Sequence, residues 1–106
     1  MVLVRFPFSD YSTAKLRPAL IISANNEQEV CVAFISSVVP VELEKTDFLL
    51  TEEDDDFVQT RLKKDSVFKM NKIATLDKSI ILGRLGAVSE GLGKELDEKL
   101  RIALGV

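Results

Sequence analysis

The apolar runs of this chain are short, rich in Val, Ile and Phe, and interrupted by polar turn residues from Met1 to Val88. Val2 to Phe8 alternates in the manner of a strand. Pro18 to Ser23 and Val30 to Ile35 are continuous apolar stretches with the turn-forming Ala24-Asn25-Asn26-Glu27 between them. Runs this short suit strands buried on both faces, because a helix of a globular domain needs a longer periodic pattern. Asp47 to Leu50, Ser66 to Met70, Ile73 to Leu76 and Ile80 to Val88 supply further short strands, and Ser9 to Lys15 is a polar connection.

Beyond Val88 the period changes. Leu92, Leu96, Leu100, Ala103 and Leu104 form one helical stripe, Ser89 stands at an N-cap position and Gly105 at a left-handed C-cap. Glu90–Lys94, Glu95–Lys99 and Asp97–Arg101 are i,i+4 pairs with the acid first, the better orientation. Six or seven strands and one closing helix predict a mainly β fold, a small curled barrel or sandwich, in one domain over residues 1–106.

Apolar residues at 46% can fill one core, and charged residues at 29% leave a solvated surface. No apolar run approaches the roughly 20 residues that span a bilayer, so no membrane partner is expected. The N-terminus lacks the regions of a signal peptide, and the expected location is cytoplasmic. The chain contains no histidine. That excludes Ser-His-Asp and Cys-His catalysis, His-ligated zinc and His-pair ribonuclease chemistry. The single cysteine, Cys31, lies between two valines and reads as a buried structural thiol.

Net charge is −3, yet residues 41 to 57 hold eight acids against Lys45 alone, a net of −7 that leaves +4 for the rest. A basic body is therefore masked by one acidic segment, and the local field governs what a groove attracts. Glu52 to Asp56 are five consecutive acids that point in several directions, which suits a solvated loop better than a metal cage. No metal and no cofactor is expected.

Three places can carry chemistry. In Leu16-Arg17-Pro18 the proline restricts Arg17 to extended backbone at the start of a buried strand, preorganising a guanidinium for phosphate. A strand-end surface arginine is the plainer reading. Ser36-Ser37 ends the third strand, either as turn formers or as hydroxyls able to orient a ribose or phosphate. Arg61 to Lys72 carries five bases, one acid and Phe68, a mix found in single-strand grooves but also on solvated strands.

Taken together, Val2-Leu3-Val4-Arg5-Phe6-Pro7-Phe8, Arg17-Pro18-Ala19-Leu20-Ile21-Ile22-Ser23, Ala33-Phe34-Ile35-Ser36-Ser37, Asp65-Ser66-Val67-Phe68-Lys69 and Ile73-Ala74-Thr75-Leu76-Asp77-Lys78 resemble the MazF/PemK family of toxin endoribonucleases. The resemblance runs over nearly the whole chain. It implies an SH3-like β-barrel with a C-terminal helix, usually a two-fold dimer. It also implies metal-independent cleavage of single-stranded RNA and a cognate antitoxin as partner. By the same resemblance Arg17 and Ser36 are the catalytic residues, and Lys15, Ser37, Lys69, Asn71 and Thr75 contact RNA. The chain departs from the family pattern in three places. It opens inside the first strand, where family members usually carry Gly-Asp or Gly-Glu just before it. Ser36 stands in place of threonine. Lys69 and Asn71 occupy positions where some members have arginine and aspartate, and Asn71 cannot act as a general base. Two rival readings stay open: a gyrase-poisoning toxin of the same fold, and a barrel that binds antitoxin or RNA without turnover.

Overall fold

The computed structural model describes residues 1–9 and 14–106, excepting the side chains of Phe8, Ser9, Ala14 and Lys15. The middle of the polar connection expected at Ser9 to Lys15 therefore lies outside the described residues. Along the chain come β1 (Val2–Ser9), β2 (Ala14–Ala24), β3 (Glu29–Ser36) and β4 (Asp47–Leu50). The short helix α1 (Phe57–Thr60), β5 (Ser66–Asp77), a 3₁₀ turn (Lys78–Ile80), β6 (Gly83–Ala87) and α2 (Glu90–Leu104) follow. The strands form one antiparallel sheet in the order β4-β5-β3-β2-β1-β6. No helix among the described residues is long and apolar enough to cross a membrane.

Alternation along the central strands buries both faces, as the continuous apolar runs predict. Leu3, Leu20, Ala33, Ile35, Leu50, Phe68 and Met70 point to one side and meet Leu92 and Leu96 of α2. Val4, Phe6, Ala19, Val30 and Val32 point to the other, where Phe6 stacks on Phe34 with centroids 5.7 Å apart. Full burial of a side chain such as Leu96 stabilises by about 1.5–3 kcal/mol. α2 has the expected limits: Ser89 Oγ accepts from the Leu92 amide at 3.2 Å, and Gly105 ends the helix at φ 75°. Glu90 meets Lys94 at 3.8 Å, whereas Arg101 turns to Glu98 at 3.7 Å. Leu104, expected in the apolar stripe, is exposed at the last turn of α2, whereas Leu92 and Leu96 are buried.

Two strand expectations are corrected. Ser66 to Met70 and Ile73 to Leu76 belong to one strand, β5, but the register against β3 jumps between Phe34↔Lys69 and Ala33↔Ile73. Residues 70–72 bulge there, and the Met70 amide donates to the Thr46 carbonyl at 3.1 Å, on the β4 side. The strand expected from Ile80 starts only at Gly83. Asp77 Oδ1 accepts from the Ser79 amide at 2.8 Å and winds the intervening residues into the 3₁₀ turn.

The expected barrel is open in its hydrogen bonding, since β4 and β6 are sheet edges with no ladder between them. α1, which follows β4, packs on β6 in that gap. Thr60 is wholly buried there, and a Cβ on Gly86 would fall onto the Thr60 carbonyl. Glycine at 86 is thus what lets the helix end seat on the strand. The acids preceding α1 are largely exposed, and two also accept hydrogen bonds: Asp54 closes a turn on the Thr51 amide at 2.8 Å, and Asp56 accepts from the Ser89 hydroxyl at the start of α2. Gly86→Ala should cost about 1–3 kcal/mol, the scale of overpacking. Urea unfolding measures this, and an unchanged midpoint would contradict the contact.

Candidate nucleic-acid interface

Where the main core reaches the solvent between β1, β2 and the α1–β5 connection, it opens into a cleft of about 400 Å³. Pro18, Ile35, Leu62 and Leu85 give it apolar walls. Arg5, Arg17, Arg61, Lys63 and Lys64 line it together with Ser37 and Ser66, and no carboxylate among the described residues does. The bases arrive by three routes. Arg5 continues the β1 alternation two residues beyond core Leu3, and its rung partner is Pro18. Arg17 precedes that proline on β2 and pairs with Phe6. Arg61, Lys63 and Lys64 follow α1, so the seating of α1 on Gly86 fixes where they project.

The cleft continues along β6 into two shallower depressions that share Arg61 and Leu85 and add Arg84. Among the described residues, Arg5, Arg61, Lys63, Lys64 and Arg84 join no ion pair, and both salt bridges lie on α2. These five cations, clustered with no ion pair among the described residues, create a field that attracts a polyanion in spite of the net charge of −3.

The expected site residues divide among several positions. Arg17 and Ser37 line the cleft. Ser36 is half-buried at the end of β3, and its Oγ accepts from the Val38 amide at 3.1 Å, as the turn-forming reading had it. A hydroxyl that accepts one bond still has its own proton to donate. Ala19 and Phe34 form a β2–β3 rung, and two residues further along each strand stand Arg17 and Ser36. Period-two alternation therefore places Arg17 and Ser36 on one face, that of Phe34 and its β5 partner Lys69. Arg17 stands where this face meets the cleft.

Lys69, Asn71 and Thr75 do not line the cleft. Lys69 is half-buried between Asp47 and Phe34, and Asn71 Nδ2 donates to Glu44 Oε2 at 3.2 Å. Thr75 lies far along β5 from the cleft residue Ser66 and contacts Cys31, Oγ1 to Sγ 3.5 Å. The side chain of Lys15 lies outside the described residues. Phe68, offered by the sequence as a stacking surface, is fully buried in the main core. Cys31 is half-buried rather than buried, because it faces Thr75 and Asn25 instead of the apolar core.

Of the bases here, Arg61, Lys63 and Lys64 belong to the basic segment that the sequence offers as a single-strand groove, whereas Arg5 and Arg84 are not singled out by it. A signal for Arg5 was present: a charge on the core-facing phase of a strand must lie at the edge of that core. Arg84 carried none.

The sequence matches the family described as PemK-like, MazF-like toxin of type II toxin–antitoxin systems over residues 1–104. The chain belongs to that family. Its fold is that of the Mycobacterium tuberculosis toxin MazF-mt6, at TM-score 0.78 and 17% identity, covering 100% of this chain and 98% of that one. A mycobacterial endoribonuclease in complex with its cognate antitoxin superposes at TM-score 0.70 and 20% identity, over 97% and 92% of the two chains. A mycobacterial endoribonuclease gives 0.68 at 20% identity, over 96% and 88%. No curated protein sequence matches the chain significantly.

Thr75 and Asn25 hydrogen-bond the Cys31 sulfur and hold its thiol below the ordinary cysteine value by favouring the thiolate. Alkylation of Cys31 should accordingly set in at lower pH than that of free cysteine. Thr75→Val should move the midpoint of the pH–rate curve upward. A midpoint unmoved by that substitution would mean that the Thr75 hydroxyl serves something other than Cys31.

Proposed function

We propose that this chain is the toxin of a type II toxin–antitoxin pair and cuts single-stranded RNA without a metal. The observation that carries the reading is Arg17, on the face of Ser36 and, with Ser37, at the edge of a cleft that further bases line and no carboxylate among the described residues enters. Support for the class of reaction comes from the family and from relatives of the same fold named as endoribonucleases, one of them held by its antitoxin. The further expectations are a symmetric homodimer and a cognate antitoxin as protein partner.

In the proposed reaction the 2′-oxygen of one nucleotide attacks the adjacent phosphorus, and the phosphorus–O5′ bond breaks. The 2′ proton leaves, the departing 5′-oxygen takes one up, and the products are a 2′,3′-cyclic phosphate and a 5′-hydroxyl. The nucleophile belongs to the substrate, so holding it in line with the leaving oxygen supplies much of the rate. The Arg17 guanidinium neutralises charge as it builds on the non-bridging oxygens. A guanidinium is poorly suited to donate a proton, so its part is electrostatic. Ser36 has an O–H to direct at the 2′-oxygen or the phosphate, and Ser37 offers a second hydroxyl on the cleft side. Lys69, on the Ser36 face, contributes charge to a flanking phosphate. The assignment of Lys15, Asn71 and Thr75 as RNA contacts rests on the family resemblance alone, since Asn71 and Thr75 lie away from the cleft.

Single-turnover cleavage of a short RNA in EDTA tests the assignment, since saturating enzyme separates chemistry from binding. Wild type should cleave. Arg17→Lys should lose about 100-fold or more, because an ammonium lacks the planar fork. Ser36→Ala should lose roughly 10- to 1000-fold, the scale of removing a positioned donor, and Ser36→Thr should retain activity. Equal rates for wild type, Arg17→Lys and Ser36→Ala would overturn the catalytic assignment and favour a protein that binds without turnover.

A further inference from the structure

Arg61 is the sole residue other than glycine with positive φ among the described residues, at φ 62° and ψ 15°. A side chain in this left-handed region is disfavoured, and Gly or Asn is the usual occupant at the end of a helix. Three contacts enforce the conformation here. The Arg61 amide closes α1 on the Val58 carbonyl at 3.2 Å. On the residue before it, Thr60 Oγ1 donates to the Phe57 carbonyl at 2.6 Å, and the same oxygen accepts from the Leu62 amide at 3.2 Å. Thr60 is itself clamped on Gly86. A conformation so thoroughly determined places Arg61 at the junction of the cleft and both depressions along β6. No carboxylate among the described residues pairs with it there.

We propose that Arg61 grips a backbone phosphate of the RNA strand next to the one at Arg17, and that the strained turn exists to aim its guanidinium into the cleft. The inference rests on the RNA reading above. Strain held by surrounding contacts at a site is a mark of function rather than stability. Glycine would relax the backbone at position 61 and remove the contact, so stability and binding are expected to move in opposite directions.

The probe is a pool of 2′-O-methyl RNA dodecamers, which cannot be cleaved, titrated against the full chain at several salt concentrations. Arg61→Gly should melt a few degrees above wild type. It should bind the pool about 10-fold more weakly at 0.1 M salt, and the slope of log K against log salt should fall by about 0.7, one phosphate contact on a single strand. Arg61→Lys should keep the slope and recover part of the affinity. Wild-type affinity and slope in Arg61→Gly would overturn the inference alone, as would a lowered melting temperature, which would show that arginine stabilises the turn. Failure of wild type to bind the pool more tightly than Arg17→Ala would overturn the RNA reading and the inference with it.

Discussion

The close approach of Thr60 to Gly86 joins the two edges of an open sheet. β4 and β6 share no hydrogen bonds, so the end of the core between them would lie open if α1 were displaced. Seated on β6, α1 lets Phe57 and Leu62 cover the core and delivers Arg61, Lys63 and Lys64 opposite Arg5 and Arg17. One backbone contact thus serves both packing and electrostatics. A methyl group at position 86 would disturb both, because the obstructing atoms belong to a backbone with nowhere to retreat.

Charge is sorted in the same region. Three of the acids around α1 are engaged as acceptors: Asp54 in the turn before the helix, Asp56 at Ser89, and Asp65 on the Glu52 amide at 2.8 Å. The bases a few residues later face the cleft. A surface in which carboxylates accept backbone and hydroxyl protons leaves neighbouring guanidinium and ammonium groups available to an outside anion. Total charge is a poor guide to such a surface, since screening in salt limits the influence of exposed acids beyond about 10 Å.

Much of the fold could be read from period and punctuation. β1, β3, β4 and α2 with both caps follow from alternation, Asn-rich turns and the Ser89 and Gly105 signals. What escaped was tertiary in origin. The β5 bulge is a feature of its pairing with β3, and the late start of β6 follows Asp77 capping a turn. In the site, Arg17 was legible because Pro18 constrains it locally. Arg5, Arg61 and Arg84 come together only once β1, α1 and β6 are assembled. Phe68 misled because aromatic residues flanked by bases look alike whether they stack on a base or fill a core. Its alternation phase with core-facing Met70 decides between the two.

The central claim is that this cleft is a path for RNA, and the salt dependence of wild-type binding to single-stranded RNA tests it most directly. Three or more phosphates held by the cleft bases predict a slope of log K against log salt of about −2 or steeper, since each contact on a single strand contributes about −0.7. A slope near zero, or affinity for neutral oligomers equal to that for RNA, would contradict the account.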